Sequence, residues 1–457
     1  MRNLILILFL ALSQNLNSQS YSLEKAIAYA YEHSNSIKID QLNMVDAEHQ
    51  IDEYKSIGKP KVNASAGYQY YLLQPQTVLQ DFISPSVYGI LKGTELLPQS
   101  FEIPTPVSQE VTFVTRNNLN LSVDANWLVF DGSYLTGLKA AKLYRNLASE
   151  EGNVTKQSLR SNITKAYLGI LIAEENFKML KKNEQNARKT HSDITAFYTN
   201  GLVEKLDVDR ALLSIENQKT QKEALGYSLK TAYDFLKFQM GYPMDESLEL
   251  SEDLQTLVAQ ISIEDIQLDE TIEYSKRAEY ANIALGQELN KLNLEQTEKQ
   301  KLPTVNAFAS VSETLQRNNL FSSDEAGFLP AAFAGVSVNY KIYDGGNRTA
   351  TEQRMAIEIE KTELQKTEFE RGMELQIRQS KIKLYNAKNT LNNAKKTLDI
   401  TQEIYNKTNV KYKEGVGSSL EVSQAESSLY TAQSYYINAI YDLVLAKTEL
   451  DIAAGEL

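Results

Sequence analysis

The chain has 457 residues with no cysteine, nine prolines, twenty glycines and a formal net charge of −12. Lack of cysteine excludes disulfides, thiolate metal sites and a lipid anchor on cysteine, and the acidic balance argues against nucleic acid as a partner and against a polybasic membrane patch. So few breakers in so long a chain imply long elements.

The first twenty residues read as a secretory signal. Arg2 precedes an apolar run from Leu4 to Leu12, and small or polar residues follow it up to Ser20, the pattern of a segment that is removed on export. That run is too short to cross a bilayer as a helix, and no later window approaches the ~18 apolar residues a transmembrane helix needs.

Residues 21–241 form a first structural repeat. Ser22 is a capping serine for a helix expected to continue to about Gly58, where Lys59-Pro60 stops it. A strand over about 61–71 follows, with Val62, Ala64, Ala66, Tyr68 and Tyr70 on one face and Asn63, Ser65, Gly67 and Gln69 on the other. Leu72 to Thr115 is a long connection containing five prolines. The strand over about 117–130 then sets Leu119, Leu121, Val123, Ala125 and Trp127 against Asn120, Ser122, Asp124 and Asn126. Asp131-Gly132 ends it with a turn and N-cap signal. Ser133 to Tyr198 has no proline and repeats Leu159, Ala166, Ala173, Leu180, Ala187 and Ile194 every seven residues, which is coiled-coil spacing. At the α-helical rise this stretch is a rod roughly 100 Å long. The hairpin turns at 200–203, where Asn200-Gly201 breaks the pattern, and a second helix from Glu204 to Gln239 returns.

After a connector over 242–268, residues 269–457 repeat the order. A helix opens at Ile272, Lys301-Leu302-Pro303 stops it, and a strand over about 303–313 carries Val305, Ala307, Ala309 and Val311 on one face. Thr314 to Ala331 is the shorter loop. The strand over about 332–343 alternates Ala334, Val336, Val338, Tyr340 and Ile342 with Gly335, Ser337, Asn339 and Lys341. Asp344-Gly345 then leads into a helix from Gly346 to Lys413, a break over 414–418 with Gly415 and Gly417, and a last helix from Ser419 to Ala454. Asp131 and Asp344 lie 213 residues apart and Gly201 and Gly415 lie 214 apart, the signature of a tandem duplication. The last helix also carries a seam of Ala425, Ala432, Ala439, Ala446 and Ala453, small residues that let helix axes approach closely.

The fold class that follows is mainly α with a membrane β-barrel segment. Strands of this length and alternation suit a tilted crossing of a bilayer, and four strands alone would leave two open edges in hydrocarbon. Three copies give a trimeric 12-stranded barrel wide enough to hold water, continued by an α-helical barrel. Its lumen is expected to be lined by Asn63, Ser65, Gln69, Asn120, Ser122, Asp124, Asn126, Ser337, Asn339 and Lys341. The competing reading is a periplasmic coiled-coil adaptor or structural stalk without a pore, which shares the helices but has no use for the alternating strands. An enzyme is not expected. His33, His49 and His191 are the only histidines and fall in no metal-binding helical spacing. No nucleophile elbow or phosphate loop is present, so no cofactor is expected.

With these elements in place the chain resembles the TolC-type outer-membrane efflux proteins. The residues that carry the resemblance are Ser22-Leu23-Glu24-Lys25-Ala26-Ile27, Pro60 and Pro303, Asp131-Gly132 and Asp344-Gly345-Gly346. To these are added Phe197 to Val203 with Leu206-Asp207-Val208, Met240 to Pro243, and Tyr412 to Gly415 with Leu420-Glu421-Val422. The resemblance implies a homotrimer in the outer membrane of a Gram-negative bacterium, in contact with its lipid. A periplasmic helical extension would dock to an adaptor (membrane fusion) protein and an inner-membrane pump or ABC transporter. It also implies a periplasmic gate at the hairpin tips, with acids at Asp207 and Glu421 and a tyrosine at Tyr412. Three positions depart from the family's pattern: Gly417 stands in place of an arginine, Gln424 in place of a second acid and Leu206 in place of a polar partner. The closed state is therefore expected to rely on packing at Leu206, Tyr412 and Leu420.

Overall fold

The computed structural model describes residues 20–105, 107–254, 273–322 and 327–456. The signal segment expected over 1–20 lies outside these residues except for Ser20. Connector residues 255–268 and the helix start expected at Ile272 lie outside them too. The chain divides into two compact units, Met1–Gln50 with Ala141–Lys291 and Met355–Leu457, and Ile51–Ala140 with Leu292–Arg354. Each unit draws segments from both sequence repeats.

The first unit is helical. Its opening helix is broken where continuity to Gly58 was expected: α1 spans Leu23–His33 and α2 spans Asn35–Ile57. Ser34 between them is extended, and its hydroxyl lies 2.8 Å from that of Ser36. A second backbone lies against the bend. Gly241, left-handed at φ +70, ends the returning helix so close to this bend that a Cβ there would meet the His33 carbonyl at 2.8 Å. The local sequence shares in the break: Ser34-Asn35-Ser36 are residues that favour caps over helix interiors, and the Ser34 carbonyl accepts the first bond of α2 from the Lys38 N–H at 3.2 Å.

The long helices match the sequence reading closely. Helix α4 spans Gly132–Thr199 and α5 Lys205–Met240. Downstream of α6 (Ala278–Lys299), α7 spans Asn347–Lys413 and α8 Ser419–Ala454. The paired lengths are 68 and 67 residues, then 36 and 36. All five alanines of the α8 seam are buried. Near α1, the core gathers Ala26, Ile27 and Ala30 against Ile163, Tyr167 and Ile170 of α4 and Leu236 and Met240 of α5. The Tyr167 hydroxyl donates to the Tyr21 carbonyl at 2.9 Å, which satisfies a polar group that burial would otherwise penalise. A short parallel pair, β1 (Ser20–Tyr21) with β6 (Glu249–Leu250), lies beside this core.

The second unit is built on one antiparallel sheet. Strands β2 (Lys61–Tyr70), β5 (Asn117–Phe130), β7 (Thr304–Arg317) and β8 (Leu329–Asn339) lie in the order β2-β5-β7-β8. The connection Leu72–Thr115 is not structureless: β3 (Thr77–Gln80) pairs with β4 (Ser108–Val111), and α3 (Ile83–Gly93) lies between them. The last strand ends earlier than its alternation predicts. Asn339 pairs with Thr304, the first residue of β7, so Tyr340, Lys341 and Ile342 have no ladder partner among the described residues. Placing Lys341 in the strand is therefore corrected.

The two strand-to-helix turns, alike in sequence, differ in form. Asp131 caps α4 directly, its Oδ1 accepting from the Ser133 and Tyr134 backbone N–H groups at 2.7 and 3.1 Å. Asp344 reaches over two left-handed glycines, Gly345 and Gly346, to accept from the Arg348 N–H at 3.1 Å. Gly132 is needed for space: a Cβ there would meet Leu302 at 2.6 Å.

Candidate functional site

The candidate site residues read from the sequence fall into two groups. The first is the polar face of the sheet. The register sets Asn63 beside Asp124 and Asp124 beside Ser310, Ser65 beside Ser122 and Ser122 beside Ser312. Gln69 faces Asn118, Asn120 faces Thr314, and Asn126 faces Lys61. On β8, Ser337 and Asn339 continue this face opposite Asn306 and Thr304. Hydroxyl and carboxylate groups link it laterally: Ser65 and Ser122 lie 2.8 Å apart, and Asp124 accepts from Ser122 at 2.9 Å and Ser310 at 2.7 Å. Sequence reading named Asn63, Ser65, Gln69, Asn120, Ser122, Asp124, Asn126, Ser337 and Asn339, all of which this face brings together. It missed Asn306, Ser310, Ser312 and Thr314 of β7, although their alternation with Val305, Ala307, Ala309 and Val311 was available.

The polar face also has an aromatic patch that no alternation rule predicts. Phe308 and Phe333 pack edge to face at 6.3 Å, and the Phe308 ring covers Gly335, where a Cβ would meet it at 2.7 Å. Lys341 lies beyond β8 in a cleft of about 310 Å³ lined also by Asp131, Asn339, Asp344 and Arg348.

The second group lies at the hairpin tips. Both turns use one geometry: Gly201 (φ +72) and Gly415 (φ +76) are left-handed. In each, the following N–H reaches back to close the helix, Leu202 to Phe197 at 2.9 Å and Val416 to Lys411 at 3.0 Å. This is the helix-ending motif for which glycine is favoured. Gly417 has no left-handed backbone, but a Cβ there would already lie 3.1 Å from the Tyr412 nitrogen.

Beyond the turns the returning helices are capped. Glu204 and Asp207 form a reciprocal capping box at α5, and the Ser418 hydroxyl accepts from the Glu421 N–H at 3.2 Å at α8. Asp207 also accepts a hydrogen bond from the Ser419 hydroxyl, which joins the two hairpins, and lies 3.6 Å from Arg210. Glu421 and Gln424 are both exposed. Tyr412 is buried with Ile194, Val208, Ala211 and Val422, its ring edge-on to Phe197 at 5.4 Å. Burial, and then the nearby charges of Asp207 and Asp193, push its hydroxyl above the ordinary tyrosine range. That hydroxyl has no hydrogen-bond partner among the described residues. Leu206 and Leu420 are more than half exposed, so within one chain the packing at Tyr412 is made by the other residues named here. Ser419 was missed by sequence reading because only the pairing of the two hairpins brings it to Asp207; Arg210, three residues beyond Asp207 on the expected helix, was missed although its spacing signalled the pair.

No metal-binding cluster of acidic and histidine side chains occurs among the described residues, and no helix there is long and apolar enough to cross a membrane.

The sequence model of the outer membrane efflux protein family matches residues 26–241 and 276–456. Among solved structures, the chain is similar to VceC of Vibrio cholerae, at 16% identity and a TM-score of 0.68, over 95% of this chain and 96% of that one. It is similar to the CmeC outer membrane channel of Campylobacter jejuni at 14% identity and a TM-score of 0.71, over 97% and 90%. Its similarity to the open state of the MtrE outer membrane channel of Neisseria gonorrhoeae is at 16% identity and a TM-score of 0.70, over 95% and 88%. Comparison with curated proteins gives no match. With the family match covering most of both repeats and the fold shared end to end, the chain belongs to the outer membrane efflux protein family.

Proposed function

We propose that this protein is the outer-membrane channel of a tripartite export system, three copies closing one 12-stranded barrel. Its partners are then a periplasmic adaptor and an inner-membrane pump or ABC transporter. The observation that carries this reading is the pair of open edges: among the described residues β2 and β8 each have a single neighbour in the sheet. In hydrocarbon each unpaired ladder group costs several kcal/mol, so the edges require other chains. Because successive strands are antiparallel, β8 of one copy and β2 of the next can pair in the same sense. Two copies would enclose a barrel filled by its own side chains, whereas three leave room for water. The polar face then lines the lumen, and Val62, Val123, Val311 and Val336, all exposed in the single chain, face lipid. In the same reading the hairpin tips form the periplasmic entrance.

A stalk without a pore is the competing reading, and fractionation separates the two: a trimer released only by detergent is expected, and a buffer-soluble protein would overturn the channel. The face assignment is tested by depth. Val123→Arg, at the middle of β5, is expected to cost about 2–4 kcal/mol of assembly stability, and Val338→Arg, one residue from the end of β8, only about 0–1 kcal/mol. Ser312→Lys, on the polar face, should assemble normally. Equal assembly of the Val123 and Ser312 variants would reverse the faces.

A further inference from the structure

Behind the tips lies a carboxyl that the channel reading does not use. Glu426 of α8 is 3% exposed. The other deeply buried glutamate, Glu184 of α4, is neutralised by Arg188 at 2.7 Å and by Lys222. Among the described residues Glu426 has hydroxyl partners only, Tyr430 at 2.7 Å and Ser214 of α5 at 3.4 Å. The charged groups that share its small cavity, Asp207 and Arg210 of α5, lie 3.6 Å apart and are paired with each other. From α7 it is faced by Tyr405, whose hydroxyl is itself pushed up by burial and then by Glu426, and from α4 by the uncharged Asn183 through Tyr430.

The Tyr430 hydroxyl lies within bonding distance of two acceptors, Glu426 Oε1 at 2.7 Å and the Asn183 carbonyl at 3.1 Å, yet carries one proton. Both contacts are satisfied together when the carboxyl is neutral: Glu426 donates to Tyr430, and Tyr430 donates to Asn183. We propose that Glu426 is held protonated in this packing and acts as a proton-dependent clamp, joining α8 to α4 and α5 and releasing them when its carboxyl ionises. Burial raises its pKa above the ordinary carboxyl range, partly offset by the Tyr430 and Ser214 hydrogen bonds. For a group whose pKa is raised in the packed state, the stabilisation is complete below the ordinary value and is lost as pH rises through the raised one. The clamp therefore tightens in acid. Glu184, whose partners lower its pKa, weakens in acid instead, but it ties only α4 to α5.

As a regulation of the proposed entrance, the clamp rests on the channel reading, and its test separates the two. Ser423→Cys, the sole cysteine in the full-length protein, lines the same cavity. Its labelling by a methanethiosulfonate reagent is measured from pH 5 to 8 with Glu426 and with Glu426→Gln, an isosteric residue that can donate to Tyr430 without titrating. Taking the ratio of the two rates removes the thiol's own titration. The ratio should rise with pH by up to about tenfold per unit, the limit for one proton, and a flat ratio would overturn the clamp. Infrared spectra in the acid range should show a protonated-carboxyl band that Glu426→Gln lacks, and its absence would also overturn it. If labelling changes with pH while conductance in planar bilayers does not, the clamp stands and the tips are not the entrance.

Discussion

Tyr412 shows how a residue assignment made by resemblance can be tested by geometry. The resemblance places this tyrosine at the gate, where the departures from the family's pattern leave it a packing role; its hydroxyl is buried without a partner among the described residues, and an unsatisfied buried polar group costs about 1–3 kcal/mol. Tyr412→Phe is therefore expected to be neutral or stabilising by up to about 1 kcal/mol in thermal melting of the helices. Clear destabilisation or an open pore would mean that the hydroxyl bonds to a neighbouring copy. Two glycines give a second contrast at this scale. At Gly372 in α7 a Cβ would have nothing within 4 Å, so Gly372→Ala should stabilise by about 0.5–1 kcal/mol. At Gly137 in α4 a Cβ would collide with the Tyr54 hydroxyl, a group that accepts from Gln296 at 2.9 Å. There overpacking of about 1–3 kcal/mol outweighs helix propensity, and Gly137→Ala should destabilise. No feature of the sequence distinguishes the two positions, because what differs is the neighbour across the interface.

Among the elements, what was legible follows from periodicity and breakers. Helices α7 and α8 end where glycine and serine place them, and β2 and β5 begin and end within a residue or so of the expected bounds. What was not legible depends on partners. Strand β8 stops at Asn339 because β7 supplies no residue before Thr304, and where α1 separates from α2 the backbone of Gly241 packs against His33, a contact that local sequence does not reveal. The hairpin tips show both kinds of information. Their glycine turns and caps can be read locally, whereas the Ser419 to Asp207 bond that joins them cannot. Ser418→Ala should cost about 0.5–2 kcal/mol, the usual range for an N-cap. For the link between hairpins the expected quantity is a coupling: Asp207→Asn and Ser419→Ala, combined in a double-mutant cycle, should interact by about 0.5–3 kcal/mol. Additive effects would show that the two side chains are merely neighbours.

For the whole molecule, the tips decide what kind of ion meets the proposed entrance. Sequence reading gave Asp207 and Glu421 the same part, but their surroundings separate them. Asp207 is mostly covered, accepts from Ser419 and lies 3.6 Å from Arg210, so much of its field is cancelled locally. Glu421 is exposed at the first turn of α8. In a trimer three copies of it would face one narrow aqueous opening, where uncompensated like charges gather mobile cations. The purified trimer in planar bilayers should be cation-selective and blocked by multivalent cations from the side of the tips. Glu421→Gln should remove most of that selectivity and block, and Asp207→Asn should instead loosen the link between hairpins and raise conductance with little change in selectivity. The opposite division would place the effective charge at Asp207, and unchanged selectivity in both variants would leave the two acids as helix caps, whose interaction with the helix dipole is worth about 0.3–1 kcal/mol each.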